Sequence, residues 1–342
     1  MDSQRRTFLK RSGLSGALAA ASGTTLAQGE PRAAGAGQTA KLASPALPKN
    51  MILATLRSGD EYSLGIKTEK GILDVKRAAH AARSGAPTTI DELLAGGDRG
   101  LSELRDLALS TGSPSLFLDE KQVEYGPCVT HPEKIICVGL NYLRHAREVG
   151  QPVPKLPILF NKYNTALNAH QGTVRVSAVP ATNFDYEAEL VIVMGRRAHD
   201  VSEAEALSYV FGYATGNDFT ARDLQSRSSQ WMIGKTCDGF APLGPWLVSA
   251  DLVGDPNKLK IECRVNGELR QSSNTDDMVF NCAQIIAYAS KLMTLEPGDI
   301  IFTGTPEGVI AGYPKDKQLW LKPGDVVTTA IEQLGELRFA LA

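Results

Sequence analysis

Three carboxylates in this sequence are placed where a cation could hold them together. Glu187 and Glu189 stand in "NFDYEAELVIVMG" (183–195), just ahead of an unbroken apolar run from Leu190 to Met194. Side chains alternate faces along a strand, so residues two apart share a face, with Cα atoms about 6–7 Å apart. Two carboxylates so placed in a half-buried site do not both ionise cheaply; one keeps a proton, or a cation lies between them. Asp218, in "GYATGNDFTARD", sits where a second apolar stretch runs out. Three carboxylates with no cysteine or paired histidines nearby make a hard, all-oxygen set. That set suits Mg2+ first, with Mn2+ or Ca2+ as alternatives, rather than Zn2+. Taken alone, a Glu-x-Glu on a strand reads more often as a solvated polar face.

Three further clusters carry chemistry-bearing side chains. In "GLNYLRHAREVG", His145 and Glu148 are spaced i, i+3. On a helical turn they share a face, and a carboxylate that orients an imidazole is what general base catalysis requires. Arg144 and Arg147 equally fit a surface helix of mixed charge. "TARDLQSRSSQWMIGKTCDGF" supplies Arg222, Gln225 and Lys235 soon after Asp218. Cations beside a carboxylate site can hold an anionic substrate or stabilise an oxyanion, although a lone lysine is usually just solvated. "FTGTPEGV" combines Thr303, Gly304 and Thr305, a seat for a substrate carboxylate or an ordinary tight loop.

The elements that must position these residues are mostly short strands. "KIICVGL", "PILFNK", "TVRVS", "DYEAELVIVMG", "SYVFGYATGND", "GPWLVS", "LKIECRVNGELR", "DIIFTGT", "DVVTTAIEQLG" and "ELRFAL" all read as β. Asn266-Gly267 marks a hairpin. Two helices interrupt: "SEAEALSYV", opening on a Ser202–Glu205 capping-box pattern, and "NCAQIIAYASKLMTLEPG" (281–298). Residues 51–130 read as a small N-terminal α/β domain with short helices capped by Thr89 and Ser102. Residues 131–342 form the larger, predominantly β domain, so the fold class is α+β. No glycine-rich phosphate fingerprint follows any strand.

The composition is that of a globular protein: 342 residues, 43% hydrophobic and 22% charged. A formal charge of −2 gives no basic balance that would suggest nucleic acid. Residues 1–27 read as a twin-arginine export signal. "RRTFLK" precedes a short, weakly apolar run, with a small-residue cleavage site after Ala27. The run is too short to span a bilayer. Cleavage removes Arg5, Arg6, Lys10 and Arg11 together with Asp2, a net three positive charges, so −2 becomes −5. A periplasmic protein without a membrane span is the expectation. Residues 28–50 are rich in Ala, Gly, Pro and Ser and read as a flexible lead-in. The five cysteines form no C-x-x-C and read as buried thiols, with one disulfide as the alternative in an oxidising compartment.

The four clusters, in this order, resemble the fumarylacetoacetate hydrolase family. The matching stretches run from "KIICVGLNYLRHAREVG" through "DYEAELVIVMGRRAHDVSEAEALSYVFGYATGNDFTARDLQ", "QWMIGKTCDGFAPLGPWLV" and "VNGELRQSSNTDDMVFNCAQIIAYASKLMTLEPGDIIFTGTPEGV" to "LKPGDVV". The resemblance implies a mixed β-sheet roll of the fumarylacetoacetase C-terminal type, usually dimeric, around a carboxylate-held divalent cation. Glu187, Glu189 and Asp218 are similar to its metal ligands. His145 and Glu148 fall on the dyad of a mobile lid, and Lys235 falls on a lysine beside the metal. Arg222, Gln225 and Thr305 fall on substrate-contacting positions. One departure is Tyr163-Asn164, after Lys162, where members commonly show a Ser-Pro type step.

The resemblance further implies a small 2-oxo or 1,3-dicarbonyl acid as substrate, with an enolate stabilised by the metal. The His145–Glu148 pair favours hydrolysis of a C–C bond in an acylpyruvate or fumarylacetoacetate-like acid. The alternatives are an isomerase or hydratase, an oxaloacetate-type decarboxylase, and an exported, non-catalytic binder of oxo acids.

Overall fold

A computed structural model describes residues 46–342. The export signal at 1–27 and residues 28–45 of the lead-in lie outside the described residues.

The strand Ala188–Met194 is buried at all seven positions. It pairs antiparallel with Val210–Asn217 on one edge and with Ile300–Phe302 on the other. Both of its faces are covered as well. Leu190, Ile192 and Met194 join a core with Ile261, Cys263 and Phe339. Val191 and Val193 join another with Leu53, Leu101 and Leu104. A strand covered on two faces has no solvent side to alternate with, which is why its sequence reads as one apolar run.

Among the described residues, twelve strands form one mixed sheet. Its path starts in the N-terminal meander, whose strand Ile52–Ser58 pairs with Ala241–Ser249. It continues through Val210–Asn217, Ala188–Met194, Ile300–Phe302 and Ile135–Gly139 to Ile158–Lys162. A five-stranded sheet that includes Lys260–Val265, Val326–Ile331 and Gly335–Leu341 covers one face. The helices Val75–Ala82, Ile90–Ala95 and Gly97–Ser110 cover part of the other. The class is thus α+β and predominantly β, as the strand pattern predicts.

Local chemistry accounts for most element ends. Thr89 accepts from the Glu92 N–H at 3.2 Å and caps its helix. Asn281 and Gln284 form a reciprocal capping box at the start of Cys282–Leu292. Asn266 and Gly267 both take positive φ (50° and 85°), the conformation a two-residue hairpin turn needs. The helix expected over 281–298 stops at Leu292, and three further sequence expectations fail. Ser102 lies inside the helix Gly97–Ser110, which Gly96 precedes without a side-chain cap. Ser202 donates to the Glu205 carboxylate at 2.9 Å instead of accepting from backbone, so no capping box forms there. "TVRVS" yields only the two-residue strand Thr173–Val174 before turning into a 3-10 helix.

Strand direction gathers the four clusters at one end of the large sheet. Ile300–Phe302 runs parallel to Ile135–Gly139, so the segments that follow, "TGTPEG" and "LNYLRH", leave from the same edge. Ala188–Met194 runs the opposite way, which brings its first residues to that edge. There Ala188 faces Asn217, the residue before Asp218. Asn141 locks the two exiting segments together. Its amide donates to the carbonyls of Thr303 (2.7 Å) and Phe280 (3.0 Å) and accepts from the Phe280 N–H (2.9 Å).

Asn141→Ala removes all three bonds and strands buried carbonyls. We expect a loss of about 2–4 kcal/mol at a fully buried site. Urea unfolding measures it, and a loss under about 0.5 kcal/mol would show that the lock carries no weight.

Candidate active site

Glu187, Glu189 and Asp218 each bring one oxygen within 4.8 Å of the others, and all three are buried. Glu189 belongs to the central strand, and Glu187 immediately precedes it. Asp218 follows the neighbouring strand, and its N–H donates to the Glu187 carbonyl at 2.9 Å. Gly304 fixes Glu189: its N–H donates to Glu189 Oε2 at 2.7 Å. Gly304 has φ +99°, and a Cβ there would lie 2.7 Å from Asn141 Cβ. Only glycine fits a left-handed backbone this close to its neighbour.

Cations surround the carboxylates. Lys235 Nζ donates to Glu187 Oε2 (2.7 Å) and Asp218 Oδ2 (2.8 Å). Arg222 Nη1 lies 2.7 Å from Glu187 Oε1. Lys162 Nζ, with no side-chain exposure, lies 2.5 Å from Asp218 Oδ1. Lys162 Nζ also donates to the carbonyls of Phe219 (3.1 Å) and Phe240 (2.7 Å), and apart from this ion pair Asp218 Oδ1 has no hydrogen-bond partner among the described residues. A buried carboxylate oxygen with unused acceptor capacity beside two further hard oxygens fits a divalent cation of the Mg2+ or Mn2+ kind.

The electrostatics divide the two glutamates. Burial pushes the Glu187 carboxyl up, but Lys235, Arg222 and His145 outweigh it and hold it at about 2. Burial, then Asp218 and Glu187, push Glu189 well above the usual carboxylate range. Burial works against the charge on Lys235, and Asp218 and Glu187 more than restore it, leaving its pKa raised.

Glu187 and Glu189 open on a cavity of about 410 Å³, lined also by His145, Arg222, Gln225 and Lys235, while Asp218 lies behind them, fully buried. Thr305 reaches it as well, while its Oγ1 accepts from Gln271 Nε2 at 2.9 Å. The short helix Leu143–Glu148 forms one wall. His145 Nδ1 is 2.9 Å from Glu148 Oε1, and Glu148 Oε2 accepts from the Gly308 N–H at 2.9 Å. A carboxylate at Nδ1 fixes the tautomer with the proton on that nitrogen and leaves Nε2 as the base. Thr303 is spent differently: its hydroxyl donates to the Leu190 carbonyl at 2.9 Å. Gln225 Oε1 accepts from Arg222 Nη1 at 3.1 Å.

Sequence reading passed over three residues that hold this arrangement. Asp185 is fully buried and accepts from Arg222 Nε (2.9 Å) and from the N–H groups of Ile310 (2.9 Å) and Ala311 (3.0 Å). A signal existed: an acid between Phe184 and Tyr186, at the entrance to an apolar strand. Gln271 bridges the Ala188 N–H (3.0 Å) to Thr305, and Asn217 accepts from the Glu187 N–H at 3.2 Å. Neither carries a local signal. All five cysteines are free, four of them buried, which removes the disulfide alternative. Among the described residues, no helix is long and apolar enough to cross a membrane.

A family model for the "Fumarylacetoacetate (FAA) hydrolase C-terminal" region matches residues 134–342. The mitochondrial oxaloacetate tautomerase fahd2 of Xenopus laevis is 39% identical over 300 residues, covering 86% of this chain and 90% of that protein. The human mitochondrial oxaloacetate tautomerase FAHD2A is 42% identical over 251 residues, covering 73% and 78%. A solved structure of maleylpyruvate hydrolase from Sphingobium sp. SYK-6, in complex with manganese(II) and pyruvate, superposes with a TM-score of 0.67 at 32% identity. It covers 85% of this chain and 98% of that one.

A cation binding here must displace the proton that the raised Glu189 keeps. Apparent metal affinity should therefore rise with pH, by up to about tenfold per unit, until the raised Glu189 pKa is passed. Calorimetry of Mn2+ binding in buffers of different ionisation enthalpy counts the proton. We expect release of about one below that pKa, and no release would contradict the Glu189 assignment.

Proposed function

The chain belongs to the fumarylacetoacetate hydrolase family, and from that premise we propose that it is a divalent-metal tautomerase of small 2-oxo dicarboxylic acids of the oxaloacetate type. The observation that carries this reading is the 39% identity to an oxaloacetate tautomerase across 86% of this chain. The human tautomerase supports it with 42% over 73%. The C–C hydrolysis favoured by the His145–Glu148 pair becomes the second reading, supported by the likeness to a maleylpyruvate hydrolase. Both reactions pass through the same enolate, so one set of residues serves either.

Glu187, Glu189 and Asp218 would hold the metal. When bound, it supplies Lewis acidity towards substrate oxygens. The chain's own residues move the proton. Interconverting enol and keto forms takes a proton from the C2 hydroxyl and adds one at C3, or the reverse. His145 lines the cavity and its Nδ1 is held by Glu148, which leaves Nε2 to exchange the C3 proton. The imidazolium formed in the keto-to-enol direction is stabilised by that carboxylate. Arg222 and Lys235 line the same cavity and favour an anionic substrate. A volume of about 410 Å³ suits a small acid. Tautomerisation also needs no activated water, so the helix that carries His145 can close on the substrate.

The test follows the ultraviolet absorbance of enol-oxaloacetate with Mg2+ or Mn2+, beside release of pyruvate from acylpyruvates. We expect accelerated enol loss without matching carbon–carbon cleavage. Cleavage of an acylpyruvate with no effect on the enol would select hydrolysis instead. His145→Ala should keep metal affinity and lose about 10²–10⁴-fold in rate. An unchanged rate would remove His145 from the chemistry.

Export rests on "RRTFLK" and is part of the proposal. Fractionation of cells making the full chain should find it in the periplasm and the Arg5→Lys/Arg6→Lys variant in the cytoplasm. Equal distribution of the two would overturn it.

A further inference from the structure

Arg144 stands immediately before the proposed base, is not among the residues lining the cavity, and its side chain meets three groups outside it. Its Nε lies 3.3 Å from Asp277 Oδ1, while its backbone N–H, which any residue at 144 retains, donates to Asp277 Oδ2 at 3.0 Å. Its Nη1 lies 3.1 Å from Glu307 Oε1, and its Nη2 donates to Ser273 Oγ at 3.2 Å. Ser273 Oγ in turn donates to Glu307 Oε2 at 3.3 Å. The guanidinium therefore joins three segments: the helix Leu143–Glu148, the end of the hairpin strand Glu268–Asn274 with the turn that follows it, and the "TGTPEG" loop.

The helix needs such a tie. It has six residues, and Tyr142 provides no side-chain cap. A helix that short is not stable by itself. Only His145 and Ala146 of its residues are buried. Its remaining side-chain anchor is Glu148 on the Gly308 N–H, two bonds from the imidazole that the reaction uses. Glu307 and Gly308 are adjacent, so Arg144 and Glu148 grip the same loop from the two ends of the helix. His145 lies between the two grips.

We propose that Arg144 is a positioning residue for the reaction. It latches the His145 helix onto Asp277 and Glu307 and so sets the imidazole over the metal site. Arginine suits the task because its planar fork reaches two carboxylates and a hydroxyl at once, which an ammonium does not. With the Arg144 side chain half exposed, the latch opens at a cost that binding or salt can change, while Lys235 and Lys162 stay sealed. The catalytic effect depends on the tautomerase reading, and the latch itself does not.

Arg144→Gln should lower kcat by about 10- to 100-fold with metal affinity unchanged, the loss expected from misplacing a reacting group by about 1 Å. Arg144→Lys should recover part of it. In a His145→Ala background the same Arg144→Gln change should cost nothing further, because its effect passes through the imidazole. Amide hydrogen exchange at residues 143–149, read without substrate, should quicken in Arg144→Gln and return partly in Arg144→Lys. Exchange unchanged by Arg144→Gln would overturn the latch, whether or not the wild-type protein turns over any 2-oxo acid. A kcat loss that persists undiminished without His145 would overturn the positioning role.

Discussion

Three carboxylates packed within 4.8 Å and largely buried are the constraint around which the molecule is organised. Their mutual repulsion in a buried setting is severe, and burial adds to it. The surroundings answer with fixed cations. Lys235 bridges Glu187 and Asp218, Arg222 pairs with Glu187, and Lys162 closes on Asp218. Among the described residues Glu189 has no cation in contact, only the Gly304 N–H, and burial, then Asp218 and Glu187, raise its affinity for a proton. That uneven arrangement is what a cation site requires. The anions are held apart and ready, and the negative charge is left partly uncompensated at one ligand until a metal arrives.

Holding such a group needs a rigid support, and the central strand provides it. Ala188–Met194 is covered on both faces and paired on both edges. A strand in that position does not shift register without moving every one of its apolar residues to the wrong face. Asp185, two residues before Glu187, extends the same rigidity outward. It holds Arg222 through Nε and draws the 310–311 backbone against the site. The sheet places the carboxylates, and the short helix Leu143–Glu148 brings His145 to the same cavity.

The chemistry follows from this division. In the proposed chemistry, a fixed carboxylate site with Lys235 and Arg222 beside it favours enolate charge at one place, whatever bond is made or broken next. Family membership therefore narrows the reaction class more than the product. On the proposed reading, carbon–carbon cleavage needs a water beside His145 and proton transfer does not.

The polar types and their order were legible from sequence: the Glu-x-Glu ahead of an apolar run, the His-x-x-Glu on a helical turn, and the glycine loop at 303–305. So was the predominance of strands, because burial on two faces and turns at Asn266-Gly267 leave local traces. Local evidence did not decide that Glu187 and Glu189 are buried rather than solvated, since a polar face and a metal site share one alternation. That decision came from Asp218 and Lys235, which meet the glutamates only when antiparallel and parallel strands end at one edge. Asn141, Asn217 and Gln271 were invisible for the same reason. Each bonds to partners that are distant in sequence, and a hydrogen bond across such a span leaves no mark on the residues beside it. Residue chemistry was written along the chain, and its meaning as a site was decided by strand direction, which brings the carriers together and shuts out water.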